Sequence, residues 1–308
     1  MGLKHLFVRV RGHIRTDFSW PVYGSHAFLW VCLLAGNYGL GLEDTIMKET
    51  RAWRIPLFFL LNATALAASC GILLLAKRIV LTSAFAWMAT WGLSILAIDR
   101  GFPFTSAIAL KISKDVNTYR WVFGLINSGF SFITVLLPIL WLSQLPSQQT
   151  SNRYGLHPFY VDWKIYGPLF SIVTPVIIAG SCAPSFQNYY PIYQYYRLQA
   201  ENAFLLWGGG LAYELVYGLD FINVELLFRG FFVIGLAKYI GKESILPMVT
   251  LYCCLHFGKP AGEAITSIFG GYVLGVIALQ TRSIWGGILV HMGVAWLMEA
   301  SAWFLKSG

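Results

Sequence analysis

The chain reads as an all-α, polytopic membrane protein of about eight or nine transmembrane helices. Three observations predict this. Of its 308 residues, 57% are hydrophobic, with a mean hydropathy of +0.62. Only 12% are charged, against about 25% in soluble domains. The apolar residues fall in continuous runs of a length that crosses a bilayer, about 20 residues. A soluble fold of this size has no interior large enough for so much apolar surface, whereas lipid solvates it. Only helices and closed barrels satisfy their backbone in hydrocarbon, and unbroken runs exclude the alternating pattern of a barrel strand. The 12 tryptophans and 16 tyrosines suit interfacial belts.

Taken in order, 19–41 is a weak first span, interrupted by Pro21 and several glycines. Residues 55–76 and 79–98 are strong spans, closed by Lys77-Arg78 and Asp99-Arg100. Segment 101–120 is too polar to cross and reads as a loop or short interfacial helix; 121–142 is a strong span. Residues 143–163 contain Pro146, Ser147, Gln148, Gln149 and Thr150 and read as an exposed loop. Residues 164–182 span. Residues 183–201, with Tyr189-Tyr190 and Tyr195-Tyr196, form an interfacial connection. The remaining helices are expected at 203–218, 221–240, 244–257, 261–281 and 283–304. The whole is a single membrane domain, with scaffold helices in 1–182 and a polar helical core in 203–304.

The net charge of +8 would suggest nucleic acid in a soluble protein. In a membrane protein it reads as positive-inside bias and attraction to anionic headgroups, so no nucleic-acid partner is expected. Lys4, Arg9, Arg11 and Arg15, with no acid among the first fifteen residues, place the N-terminus in the cytoplasm. No cleavable signal peptide and no prenylation box are evident. Cys32, Cys70, Cys182, Cys253 and Cys254 lie in apolar segments without a CxxC pair, and read as small buried hydrophobes rather than zinc ligands.

Polar groups within membrane segments are costly and normally face the protein interior or a water-filled cavity. They are unevenly spread here. Glu214, Asp220, Glu225, Arg229, His256, Glu263, His291 and Glu299 all lie between 203 and 304, while the interiors of 55–76, 79–98 and 121–142 carry no acid, base or histidine. Glu225 and Arg229 are at i and i+4, one helix face, where they can pair; either a structural ion pair or part of a site fits that spacing. Gly230 allows a neighbouring helix close approach. His256 precedes Phe257-Gly258-Lys259-Pro260, which ends its helix, and His291 lies within an apolar run after Gly286-Gly287. A carboxylate and two histidines on separate helices can activate water, directly or through a metal.

The series Glu225-x-x-x-Arg229-Gly230, Tyr252-x-x-x-His256 and a late His291 resembles the motifs of the CPBP intramembrane proteases, the Abi family that includes the type II CAAX prenyl endopeptidases. The likeness covers about 203–298. In that family the first motif is Glu-Glu-x-x-x-Arg, whose first Glu is the general base; Val224 stands there in this chain. The second is Phe-x-x-x-His, with Tyr252 at the aromatic position. The third is often His-x-x-x-Asn, with an Asn that helps hold an oxyanion; here it is His291 with Ala295. The resemblance implies an intramembrane endopeptidase acting on a membrane-embedded or lipid-proximal peptide. Glu225, or Glu263 returning toward His256 after the chain reverses, then serves as base, and Glu214 would share the Glu225 face in an unbroken helix. His256 and His291 orient water or steady the oxyanion, and Arg229 holds Glu225. A divalent metal such as zinc on Glu225, His256 and His291 would make it a metalloprotease, although the family mechanism is often described without metal. The alternative function is an inactive relative serving as membrane scaffold, chaperone or immunity protein. An ion-coupled transporter suits the buried acids but not the motif spacing.

Overall fold

A computed structural model describes residues 2–49, 51–145, 152–192 and 203–307. No strand occurs among them, and six helices are long and apolar enough to cross a membrane, or seven if one bent pair forms a single span. That pair is α1 (Gly2–Asp17) and α2 (Trp20–Leu40), which meet at 106°. Ser19 is extended and Pro21 opens α2, so the chain turns where helical hydrogen bonding lapses. The short α3 (Leu42–Lys48) follows Gly41, whose left-handed φ of 64° closes α2.

The next helices are α4 (Arg51–Leu75), α5 (Ser83–Gly101), α6 (Phe104–Ile112) and α7 (Val116–Ser131). Thr82 caps α5 by accepting from the Phe85 N–H, and Asp115 caps α7 by accepting from Thr118. α7 runs on through a π-turn (Phe132–Leu136) into α8 (Leu137–Leu142). α9 (Trp163–Gly180) and α10 (Pro184–Tyr189) precede α11 (Ala203–Glu225), which widens into a π segment (Leu226–Gly235) and ends as α12 (Ala237–Ile240). α13 (Ile245–Leu255), α14 (Ala261–Thr281) and α15 (Trp285–Ser307) complete the chain.

Several expectations change. Segments 203–218 and 221–240 are not two spans, because the helix passes through Gly218–Asp220 without a break. Segment 244–257 does not span: α13 has 11 residues, about 16 Å at 1.5 Å per residue, roughly half a bilayer core. Its first ten residues are all buried, as are all ten of the π segment. Together they form the protein core, shielded from lipid by the longer helices. Segment 101–120 holds a short helix, one of the two forms expected of it, as α6, followed by the start of α7.

Loop 143–163 is not uniformly exposed. Tyr154 takes φ 58° and is 1% exposed, its ring beside Phe231. A Cβ on Gly230 would lie 2.7 Å from the Tyr154 carbonyl oxygen. Gly230 therefore admits a loop rather than a helix. Tyr190 is likewise buried, at 1% exposure; the expected Pro146–Thr150 and Tyr195-Tyr196 positions lie outside the described residues.

The bundle has two polar ends. At one, Arg78 pairs with Asp17 and, at 2.9 Å, with Glu243; Lys242 Nζ lies 2.9 Å from Asp17; Arg9 faces Asp162. At the other, α3 reaches over the turn after α13. Arg100 pairs with Glu43, Asn37 Nδ2 donates to the Phe257 carbonyl (3.0 Å) and Tyr38 OH to that of Lys259 (2.8 Å). Burial raises the Glu43 carboxyl above its ordinary range, against the opposing pull of Arg100 and the Gly258 N–H. A carboxyl that binds protons more tightly folded than unfolded costs stability as pH rises past its unfolded value. The melting temperature of wild type should therefore fall relative to Glu43→Gln between the ordinary carboxylate range and neutrality. Parallel melting profiles of the two proteins would contradict this.

Candidate functional site

Glu225 ends α11, and the widened turn that follows carries Arg229 beneath it. Both are 0% exposed, with Arg229 Nη1 2.9 Å from Glu225 Oε1. The i,i+4 spacing sets this pair, and the surrounding hydrocarbon enforces it: a lone buried charge costs several kcal/mol. The guanidinium also lies over the Tyr252 ring, Cζ 4.1 Å from its centre, a favourable cation–π placement.

Across the core, α15 brings His291 to the same carboxylate, with Nδ1 3.1 Å from Glu225 Oε1. Two glycines allow this approach. A Cβ on Gly287 would sit 2.4 Å from Glu225 Oε2, and one on Gly286 would overlap the Tyr166 ring. The far nitrogen, Nε2, lies 3.1 Å from the Tyr252 hydroxyl. A neutral His291 that donates from Nδ1 to the carboxylate presents its Nε2 lone pair to the Tyr252 O–H. The result is a continuous series of contacts Arg229–Glu225–His291–Tyr252.

His256 lies one turn beyond Tyr252, at the end of α13. Its Nδ1 donates to the Tyr252 carbonyl at 2.9 Å, and its ring packs edge-on to Tyr252 at 4.6 Å. Its Nε2 thus carries the lone pair. The turn that holds it is pinned by Asn37, Tyr38 and Glu43 from the N-terminal helices, so the scaffold contributes directly to the site. Sequence reasoning misses these three residues; their only signal is polarity within and just after a weak first span.

Glu263 is placed apart. It lies in the first turn of α14, where Oε2 accepts from Tyr190 OH (2.9 Å) and faces Lys259 Nζ (3.4 Å). No hydrogen bond or ion pair joins it to His256 or Glu225. Glu214 is also separate. Its backbone carbonyl accepts from Trp296 Nε1, and its Oε2 has no partner among the described residues. Val224 packs against the hydrophobic core, and Ala295 is buried. The arrangement of Glu225 and His291 is one of direct contacts within the protein. Both His291 nitrogens are committed within the protein, and no three His, Cys, Asp or Glu side chains among the described residues are grouped to hold an ion.

A core of short buried helices, enclosed by spans and holding a carboxylate–imidazole pair, defines an intramembrane protein whose polar chemistry is sealed from lipid. Residues 193–297, about a third of the chain, match the family model for type II CAAX prenyl endopeptidase Rce1-like proteins. The match supports the CPBP/CAAX protease assignment drawn from Glu225, Arg229, His256 and His291. No curated protein and no solved structure matches the chain.

Proposed function

We propose that the protein is an intramembrane endopeptidase that hydrolyses a peptide bond of a membrane-embedded or lipid-proximal substrate. The observation that carries this reading is the buried Glu225–His291 pair within the segment that matches the CAAX endopeptidase model. His291 Nε2 is the base. It takes a proton from water as the water oxygen bonds to the scissile carbonyl carbon, and returns it to the leaving amine when the C–N bond breaks. Glu225 acts through His291 as a positioning residue, since its Oε1 already faces both Arg229 and His291. His256 Nε2, an acceptor, orients the attacking water. Attack requires the Tyr252 hydroxyl to release His291 Nε2.

The test is cleavage of candidate membrane peptides by purified protein. His291→Ala and His256→Ala should each lower the rate by roughly 10²–10⁴-fold, the usual worth of a positioned acid–base group. Tyr252→Phe, which frees Nε2, should retain cleavage, and Glu263→Gln should leave the rate near wild type. Wild-type protein that cleaves nothing, or cleavage indifferent to both histidines, would turn the assignment to a non-catalytic membrane scaffold.

The proposal includes an orientation. Arg9, Arg78 and Lys242 gather at the end of the bundle that holds the N-terminal helix, Arg78 and Lys242 on Asp17 and Arg9 facing Asp162, with Gln280 of α14 donating to the Arg9 carbonyl. By the positive-inside bias this end faces the cytoplasm. A single cysteine placed at Arg9 should resist an impermeant thiol reagent in sealed cells; labelling from outside would reverse the orientation.

A further inference from the structure

α1 meets α2 at 106°, and the two helices have different neighbours. α2 runs the length of α4, one of the helices long and apolar enough to cross a membrane. Asp17, just before α2, pairs with Arg78, just beyond α4. Midway, His26 Nε2 lies 2.9 Å from Ser69 Oγ. Past the far end of α2, Ile46 of α3 packs with Phe58 in the first half of α4. The 21 residues of α2 cover about 31 Å, the thickness of a hydrocarbon core. A helix set at 106° to that direction lies along the membrane surface.

On that surface α1 presents three sides. The first faces protein: Leu6 and Val10 pack with Ile165 and Tyr166 of α9, and Asp17 meets Arg78 and Lys242. The second is an exposed apolar stripe of Phe7, Ile14 and Phe18, at i, i+7 and i+11, with Phe7 66% exposed. Phe18 keeps the helical register by donating its N–H to the Ile14 carbonyl, and its ring packs on Trp20 and Tyr23 of α2, at 5.1 and 5.0 Å between centroids. The stripe therefore looks down α2, toward the bilayer interior. The third side holds Lys4, Arg11 and Arg15, at the same spacing. Each precedes a member of the apolar stripe by three residues and so lies beside it. All three are exposed. None has an ion-pair partner among the described residues, whereas Arg9, Arg78 and Lys242 are answered by Asp162, Glu243 and Asp17.

An apolar stripe directed into lipid with a cationic stripe along its edge is the arrangement of an interfacial amphipathic helix. It sets the cations at headgroup depth, where guanidinium forks match phosphate oxygens. An acidic soluble protein would have to reach the same cations across a stripe seated in lipid, so the bilayer is the favoured partner. We infer that α1 binds anionic phospholipid headgroups through Lys4, Arg11 and Arg15, with Phe7, Ile14 and Phe18 in the acyl layer beneath.

Two measurements on the full-length protein test this. The first titrates detergent-solubilised protein with phosphatidylglycerol carrying a fluorescent acyl chain, beside the same probe with a phosphatidylcholine headgroup. Wild type should bind the anionic probe more tightly, and added salt should erode the preference. Arg11→Gln and Arg15→Gln should each weaken anionic binding by about fivefold, the factor for one cation near an anionic surface. The triple variant with Lys4→Gln should weaken it further. Lys48→Gln/Lys111→Gln/Lys114→Gln, which removes three exposed cations outside α1, should leave it unchanged. The second measurement places spin labels at Phe7→Cys or Gly12→Cys in nanodiscs of phosphatidylglycerol and phosphatidylcholine, with the exposed Cys32 and Cys182 replaced by alanine. Gly12 is two residues before Ile14, hence on the other side of the helix, and a side chain there meets open space. The label at 7 should be reached by oxygen and shielded from a water-soluble nickel chelate, and the label at 12 the reverse. Equal binding of the two probes by wild type overturns the inference, as does an anionic preference that the triple variant retains. A label at 7 as open to the nickel chelate as the label at 12 also overturns it, and leaves α1 as a face for an acidic soluble partner. The wild-type titration and the label depths decide the matter even where a glutamine variant fails to fold, and neither depends on peptide cleavage.

Discussion

Arg229→Ala should destabilise the protein by about 3–5 kcal/mol, the cost of leaving one partner of a buried ion pair without the other. Arg229 is wholly buried and is the largest fully buried side chain among the described residues. Its removal would leave Glu225 facing a neutral histidine and an apolar core. It would also open a void under Tyr252, whose ring the guanidinium now covers. Loss of folded protein in detergent and a lower unfolding midpoint would report this. The double change Glu225→Leu/Arg229→Met should recover much of the loss, because a well-packed apolar pair of similar volume avoids both desolvation costs. A wild-type melting profile for Arg229→Ala would show that Glu225 is neutral in the folded protein and needs no counter-charge.

Glu225→Gln should reduce peptide cleavage by roughly 10⁴-fold, the scale seen when a triad carboxylate becomes an amide and its histidine takes the wrong tautomer. The shape is unchanged, but the amide can present an N–H to Nδ1. His291 then carries its hydrogen on Nε2 and cannot take a proton from water. Nitrogen chemical shifts of labelled His291 would show the tautomer reversed in a variant that still folds, a change that a purely structural Glu225 would not produce. Glu225→Asp, which keeps the acceptor but shortens the reach, should fall between the two. Equal cleavage by wild type and Glu225→Gln would place the base elsewhere.

The Glu225–Arg229 contact is legible in the sequence because it is local. Four residues make about one helical turn, and a membrane interior demands a partner for each charge. The same holds for the membrane class, which follows from composition, and for the clustering of ionisable groups after residue 203. The π widening at Leu226–Gly235 leaves no such trace, nor does the continuity of the helix through Asp220. Gly218 and the charged Asp220 look like a break in a hydropathy profile, whereas α11 runs through them unbroken, packed against α7 and α15.

Composition and helical periodicity alone therefore establish the solvent, the late polar helices and the one ion pair that a single helix dictates. The packing of helix on helix decides the rest. It brings His291 to Glu225 across 66 residues, closes the far side of that imidazole with Tyr252, and draws Glu263 away to Tyr190 and Lys259. Periodicity states which residues share a face of one helix, but not which face of another helix comes opposite. That choice depends on where small residues such as Gly286 and Gly287 let two backbones close, and on the total cost of every polar group the bundle must satisfy at once.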